Sequence, residues 1–172
     1  MNNGKDSSRT VASLREISPE ELEEILESHK KWLSNQDGSR MNLSGASLSR
    51  AFLFETNLSE ADLEGANLAG ANLGWAQLKK ANLKKANLSG ADLFSANLKG
   101  AILEGANLNQ AFLFGTQLQG AHLQKASFYG ASLTHSDLRG ADLSDVSGLI
   151  QEQIDTTATD KDTILPAYLL IK

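Results

Sequence analysis

The 172-residue chain contains no cysteine, which excludes disulfides and thiolate metal sites and leaves the redox state of its compartment unmarked. No stretch approaches the ~18 consecutive apolar residues of a membrane-spanning helix. The opening MNNGKDSSRTVASLREIS also lacks the apolar core of a signal peptide. The expectation is a soluble, cytoplasmic protein that does not engage a membrane. Aromatic residues make up only 6% of the chain. Strong charge of either sign is missing too. Its 16 basic and 21 acidic residues leave −5, too mild for a nucleic-acid surface or a strongly acidic mimic of one. The apolar fraction nevertheless reaches 41%, most of it Ala and Leu, and such bias points to repeats.

From Met41 to Asp145 the sequence divides into 21 blocks of five, with Leu at the centre of 20 and Phe128 at the centre of the other. Two residues before each centre stands a small residue, usually Ala; Met41, Thr56, Thr116 and Ser136 are the departures. A period of five fits neither a helix nor an extended strand, so the chain must turn repeatedly. If each block forms one side of a coil, Leu and the small residue point inward. The other three positions, rich in Asn, Asp, Ser, Gly and Lys, then face water. Ten blocks end in Gly, where a positive φ would turn the corner. The hydroxyls of Thr56, Thr116 and Ser136, all in one inward column, are expected to bond backbone carbonyls.

Tandem A-(N/D)-L-x-x over about 105 of the 172 residues resembles the pentapeptide repeat family. The resemblance implies an all-β solenoid, a right-handed quadrilateral β-helix with four blocks per coil. Here that makes about five coils and a rod on the order of 25 Å long at the ~4.8 Å ladder spacing. The exposed aromatics support four sides independently. Numbered modulo 20, Phe52 and Phe112 fall at 12, Phe54, Phe94 and Phe114 at 14, and Trp75 at 15, all on one face. The style of the repeats is similar to that of cyanobacterial and other bacterial members.

The expected organisation is a disordered or loosely ordered N-terminus over 1–17, a capping helix and linker over 18–40, the repeat over 41–145 and a C-terminal cap or tail over 146–172. Ser18-Pro19-Glu20-Glu21 reads as a helix start, with Ser at the N-cap, Pro at the first position and Glu21 completing a capping box. Leu22, Ile25, Leu26, His29, Trp32 and Leu33 follow at helical spacing and should lie over Leu43 and Leu48; Asn35 to Gly38 ends the helix. A second, short helix is expected from about Gln151 to Thr156. The segment around it resembles the closing segment of many family members.

No catalytic constellation emerges, and no cofactor or metal is expected. His29, His122 and His135 lack ligand spacing, and the glycines are corners rather than a phosphate loop. His122 and Asp142 share an outward column one coil apart, which fits a surface pair better than half of a triad. The strongest candidate site is the face of Phe52, Phe54, Trp75, Phe94, Phe112 and Phe114, a patch that needs a cover. The apolar tail folded back along it, a second copy of the chain or another protein would each serve. Beside it lies a candidate basic corner of Lys79, Lys80, Lys84, Lys85 and Lys99, with few acids between.

The function expected is a non-catalytic protein-interaction scaffold whose partner is unknown or is the chain itself, as a homodimer. The alternative comes from the family resemblance, since some members are rod-shaped DNA mimics that inhibit or protect DNA gyrase. Eight basic residues against nine acidic in the repeat, a balance of −1, imitate phosphate poorly. Nucleic-acid binding is likewise not expected.

Overall fold

The computed structural model describes residues 14–170. Its backbone pairs with itself at a fixed interval. Asn42 bridges Asp62, Asp62 bridges Asn82, and the parallel series continues at steps of 20 to Ser127 and Ser147. Five residues therefore build each side of a four-sided coil. All 21 block centres are buried, from Leu43 to Leu143, with the small residues stacked between them. Each buried Leu contributes roughly 1.5–3 kcal/mol before chain entropy is charged against it.

Local chemistry explains why Asn or Asp precedes the central Leu. The side-chain oxygen accepts the N–H two residues on, as Asn72 does from Gly74 and Asp92 from Phe94, and this Asx turn bends the chain toward the corner. The same side chains then stack from coil to coil. Asn107 donates to Asn87 and Asn87 to Asn67, each at 3.2 Å. The corner itself is left-handed at every block end, not only at the ten glycines. Arg50, Glu55, Trp75, Lys80, His135 and six others take the same conformation, with φ between +53° and +62°. A ladder bond at each level outweighs the ~1–2 kcal/mol this costs a residue with a Cβ.

At the N-terminal end β1 (Arg15–Glu16) pairs in parallel with β2 (Ala46–Ser47), Arg15 matched to Ala46. This corrects the expected looseness of 1–17 for its last residues, because an open ladder edge recruits a strand even from a polar segment. Residues 1–13 lie outside the described part. Helix α1 (Pro19–Leu33) follows, with Ser18 Oγ accepting the Glu21 N–H at 3.1 Å. The Glu21 carboxylate turns away from the box to meet the Arg15 guanidinium. Leu22, Ile25 and Leu26 pack on the core. Gly38 follows because a Cβ there would stand 2.3 Å from the Ser28 carbonyl oxygen.

At the other end the coil outlasts the repeat. Asp137 pairs with Ala158 and Asp142 with Ile164, at intervals of 21 and 22, so the segment expected to be a tail completes another, irregular turn. One extra residue is taken up at α2 (Gln151–Ile154), which ends two residues before the expected Thr156, and the second between Ala158 and Ile164. Ser136 is a further correction. Its buried hydroxyl has no hydrogen-bond partner among the described residues, whereas Thr116 Oγ1 donates to the Leu93 carbonyl at 2.8 Å. Thr56 reaches the Phe54 carbonyl at 3.5 Å.

Candidate functional site

The square coil places the outward side chains of residues 20 apart directly above one another, so a face inherits whatever its columns contain. On the side carrying Leu53, Leu73, Leu93 and Leu113 the columns contain rings. Trp75 meets Phe94 edge-on at 5.9 Å between centroids, and Phe94 stacks on Phe112 at 6.3 Å and on Phe114 at 5.7 Å. Phe114 in turn meets His135 edge-on at 5.1 Å. Lower on the same face Phe52 stacks on Phe54 at 6.1 Å. The Phe54 ring also lies over Gly74, where a Cβ would stand 3.1 Å from it. All six expected residues thus share one surface.

The sequence reading missed two participants, His135 and Gly74. Both lie in the columns at 14 and 15 that hold Phe54, Phe94, Phe114 and Trp75, so sorting all residue types modulo 20 finds them.

The face is open to solvent. Phe52 is 76% exposed, Trp75 49% and Phe112 44%. The C-terminal segment lies elsewhere. Tyr168 Oη donates to the Val146 carbonyl at 3.2 Å, Leu170 exchanges two bonds with the Gln151 side chain, and Leu169 is buried at that end. Of the three covers considered for the aromatics, the described tail is therefore not the one in place.

The lysines stand on the adjoining sides, but acids interrupt them. Lys84 Nζ is 2.8 Å from Glu104, and Glu64 occupies the same column one coil below. The hydrogen bond and charge of Glu104 raise the Lys84 pKa, and Lys84 lowers that of Glu104, with Lys125 and Lys85 adding to the effect. Lys79, Lys80, Lys85 and Lys99 surround this pair without forming a salt bridge among the described residues. His122 and Asp142 exchange no hydrogen bond; the Asp142 carboxylate accepts from Gln124 at 2.6 Å. Among the described residues no group of His, Asp or Glu could hold a metal ion, and no helix is long and apolar enough to cross a membrane. A groove of about 690 Å³ between α1 and Thr56–Asn57 is lined by Glu20, Glu23, Glu24 and Glu27 and contains none of the rings.

A four-sided parallel β-solenoid with Asx-turned corners defines the structural class of this protein. Residues 39–74, 71–110 and 113–147 match the Pentapeptide repeats family in eight copies, and the chain belongs to that family. Its fold is accordingly the right-handed quadrilateral β-helix.

Among solved structures it is similar to HetL of the cyanobacterium Nostoc sp. strain PCC 7120, a pentapeptide repeat protein involved in heterocyst differentiation regulation. The two are 39% identical with a TM-score of 0.51 over 71% of this chain and 56% of HetL, so the chain spans little more than half of HetL's length. A pentapeptide repeat protein of the Arabidopsis thaliana thylakoid lumen is 32% identical over 66% of this chain and 68% of its own, with a TM-score of 0.43. QnrB1, a plasmid-mediated fluoroquinolone resistance protein, is 21% identical with a TM-score of 0.56 over 69% and 67%, and shares the fold. No curated protein matches the chain.

Proposed function

We propose that this protein is a non-catalytic, cytoplasmic interaction rod that binds a protein surface through its aromatic face. In this reading the rod has about five coils, α1 closes one end and residues 146–170 the other. The observation that carries it is the continuous stack Trp75–Phe94–Phe112–Phe114, held open to solvent on a side whose other positions follow the repeat. Six rings at roughly half exposure leave about 500 Å² of apolar surface, near the upper limit of what a soluble monomer shows. HetL, which is involved in heterocyst differentiation regulation, supports a regulatory role for this chain. A gyrase-directed DNA mimic is the weaker reading. It requires unbroken acidic columns, and here Lys84 stands between Glu64 and Glu104.

Light scattering behind size exclusion tests the reading on the full chain and on a Phe54→Ser, Phe94→Ser double variant. The expected result is a species heavier than 18.5 kDa at micromolar concentration that the double variant loses. A parent heavier than the monomer whose double variant is as heavy and as stable would overturn it.

A further inference from the structure

The aromatic face has a pattern of its own along the rod. In the column at 12 the first four coils carry Phe52, Asn72, Asp92 and Phe112, which reads the same in either direction as ring, polar, polar, ring. In the column at 14 they carry Phe54, Gly74, Phe94 and Phe114, and in the column at 15, Glu55, Trp75, Ser95 and Gly115. Consider two such faces pressed together with the rods antiparallel and a two-fold axis lying across the face between the second and third coils. Each column then meets itself reversed. Phe52 faces Phe112, Phe54 faces Phe114, and the Asn72 amide faces the Asp92 carboxylate. In the remaining pairs a large residue faces a small one: Phe94 against Gly74, Trp75 against Ser95, Glu55 against Gly115.

The adjacent registers fail on one residue, and an axis through the fourth coil, which sets Asp92 against Ser132, leaves Phe52 and Phe54 uncovered. An axis through the third coil sets Asp92 against Asp92, and an axis through the second coil, or between the third and fourth, sets Asp92 against a phenylalanine. An ionised carboxylate cannot be buried against either without a large cost. Resting on the reading that this face associates, we infer that its occupant is a second copy of the chain, bound antiparallel in this register. A two-fold interface must be self-complementary in this way, with residue i meeting j and j meeting i. Two faces of about 500 Å² remove about 1,000 Å² from water, the low end of specific interfaces, so the dimer forms reversibly in the micromolar range rather than permanently.

The chain has no cysteine, so introduced thiols report without background. Phe52→Cys and Phe112→Cys are prepared separately, their folding is checked by circular dichroism, and they are treated alone and mixed with a bis-maleimide that spans the ~10 Å between packed sheets. The parent and Phe94→Ser are compared by sedimentation equilibrium across the micromolar range. The inferred register predicts a covalent dimer in the mixture and little in either variant alone, because like positions lie three rungs, about 14 Å, apart along the rods. It also predicts a dimer constant weakened at least about tenfold by Phe94→Ser.

Self-cross-linked Phe52→Cys would overturn the antiparallel register while leaving the face as the association surface. A dimer indifferent to Phe94→Ser and never cross-linked would overturn both the register and the proposed function. A parent that stays monomeric throughout would overturn the second copy as occupant.

Discussion

At the scale of single residues, the inward columns distinguish hydroxyls that have a partner from one that does not. Thr116 donates to the Leu93 carbonyl inside the rod, and Thr163 makes the same kind of bond to Leu138 in the last turn. Ser136, equally buried in the column of Thr116, donates to no one among the described residues. A buried hydroxyl without a partner forfeits its hydration for nothing. Ser136→Ala is therefore expected to leave stability unchanged or raise it by up to about 1 kcal/mol, and Thr116→Val to lower it by about 1 kcal/mol. Urea midpoints of the two variants check the pair; equal losses would refute the distinction.

That position 136 is inward was legible from the period of five. That its hydroxyl is orphaned was not, because a Ser and a Thr in one column look alike until carbonyl distances are known.

At the scale of elements, both ends use side chains where a neighbouring rung is missing. In the later coils the carbonyl at position 19 accepts a backbone N–H from the coil below, as Lys79 does from Glu60 and Lys99 from Lys80. Ser59 has no such coil below it, and His29 Nε2 donates to its carbonyl at 3.0 Å. The Met41 N–H donates to His29 Nδ1 at 3.1 Å, which fixes the neutral tautomer, and Trp32 stacks on the ring at 5.6 Å. At the far end Gln153 Nε2 donates to the Ala131 carbonyl at 2.6 Å and Asp160 Oδ1 accepts the Gly140 N–H at 2.9 Å.

Burial lowers the His29 pKa from its ordinary 6.5; Arg40 adds to this, and the Ser59 carbonyl and Glu60 oppose it. The unfolded chain therefore binds this proton more readily than the folded one. Stability is complete above the ordinary value and falls as pH drops below it toward the folded value. Urea midpoints at neutral and mildly acidic pH should show this decline, and His29→Leu should reduce it. An undiminished decline in that variant would place its origin elsewhere.

At the scale of the whole molecule, the ladder runs from β1 through the coils to Ile164 and would propagate if its last rung were bare. Residues 146–170 occupy that rung through Leu138 N to the Ala158 carbonyl at 2.7 Å and Leu143 N to the Ile164 carbonyl at 2.8 Å. Truncation after Asp145 should leave the lower coils folded and expose the edge, giving concentration-dependent aggregation that light scattering would follow. A truncated chain that stayed dispersed at the same concentrations would show that the edge is not the hazard. Each coil touches only its neighbours, so damage at one end does not spread along the rod.

The sequence by itself determined the coil. A strict period of five with Leu inward, Ala beside it and Asn or Asp before it buries the apolar residues and bends at the corners, so core and corners could be read by counting; the four sides came from the family resemblance, with the aromatic column in support. The tertiary structure alone decided what lies beyond the period: the pairing of β1, the extra turn through α2, the seat of the tail at the end of the rod, and His29 in place of a rung. These depend on which backbone groups the last coils leave unpaired and on which side chains reach them. Non-periodic segments meet such groups only through space, and no spacing in the sequence records it.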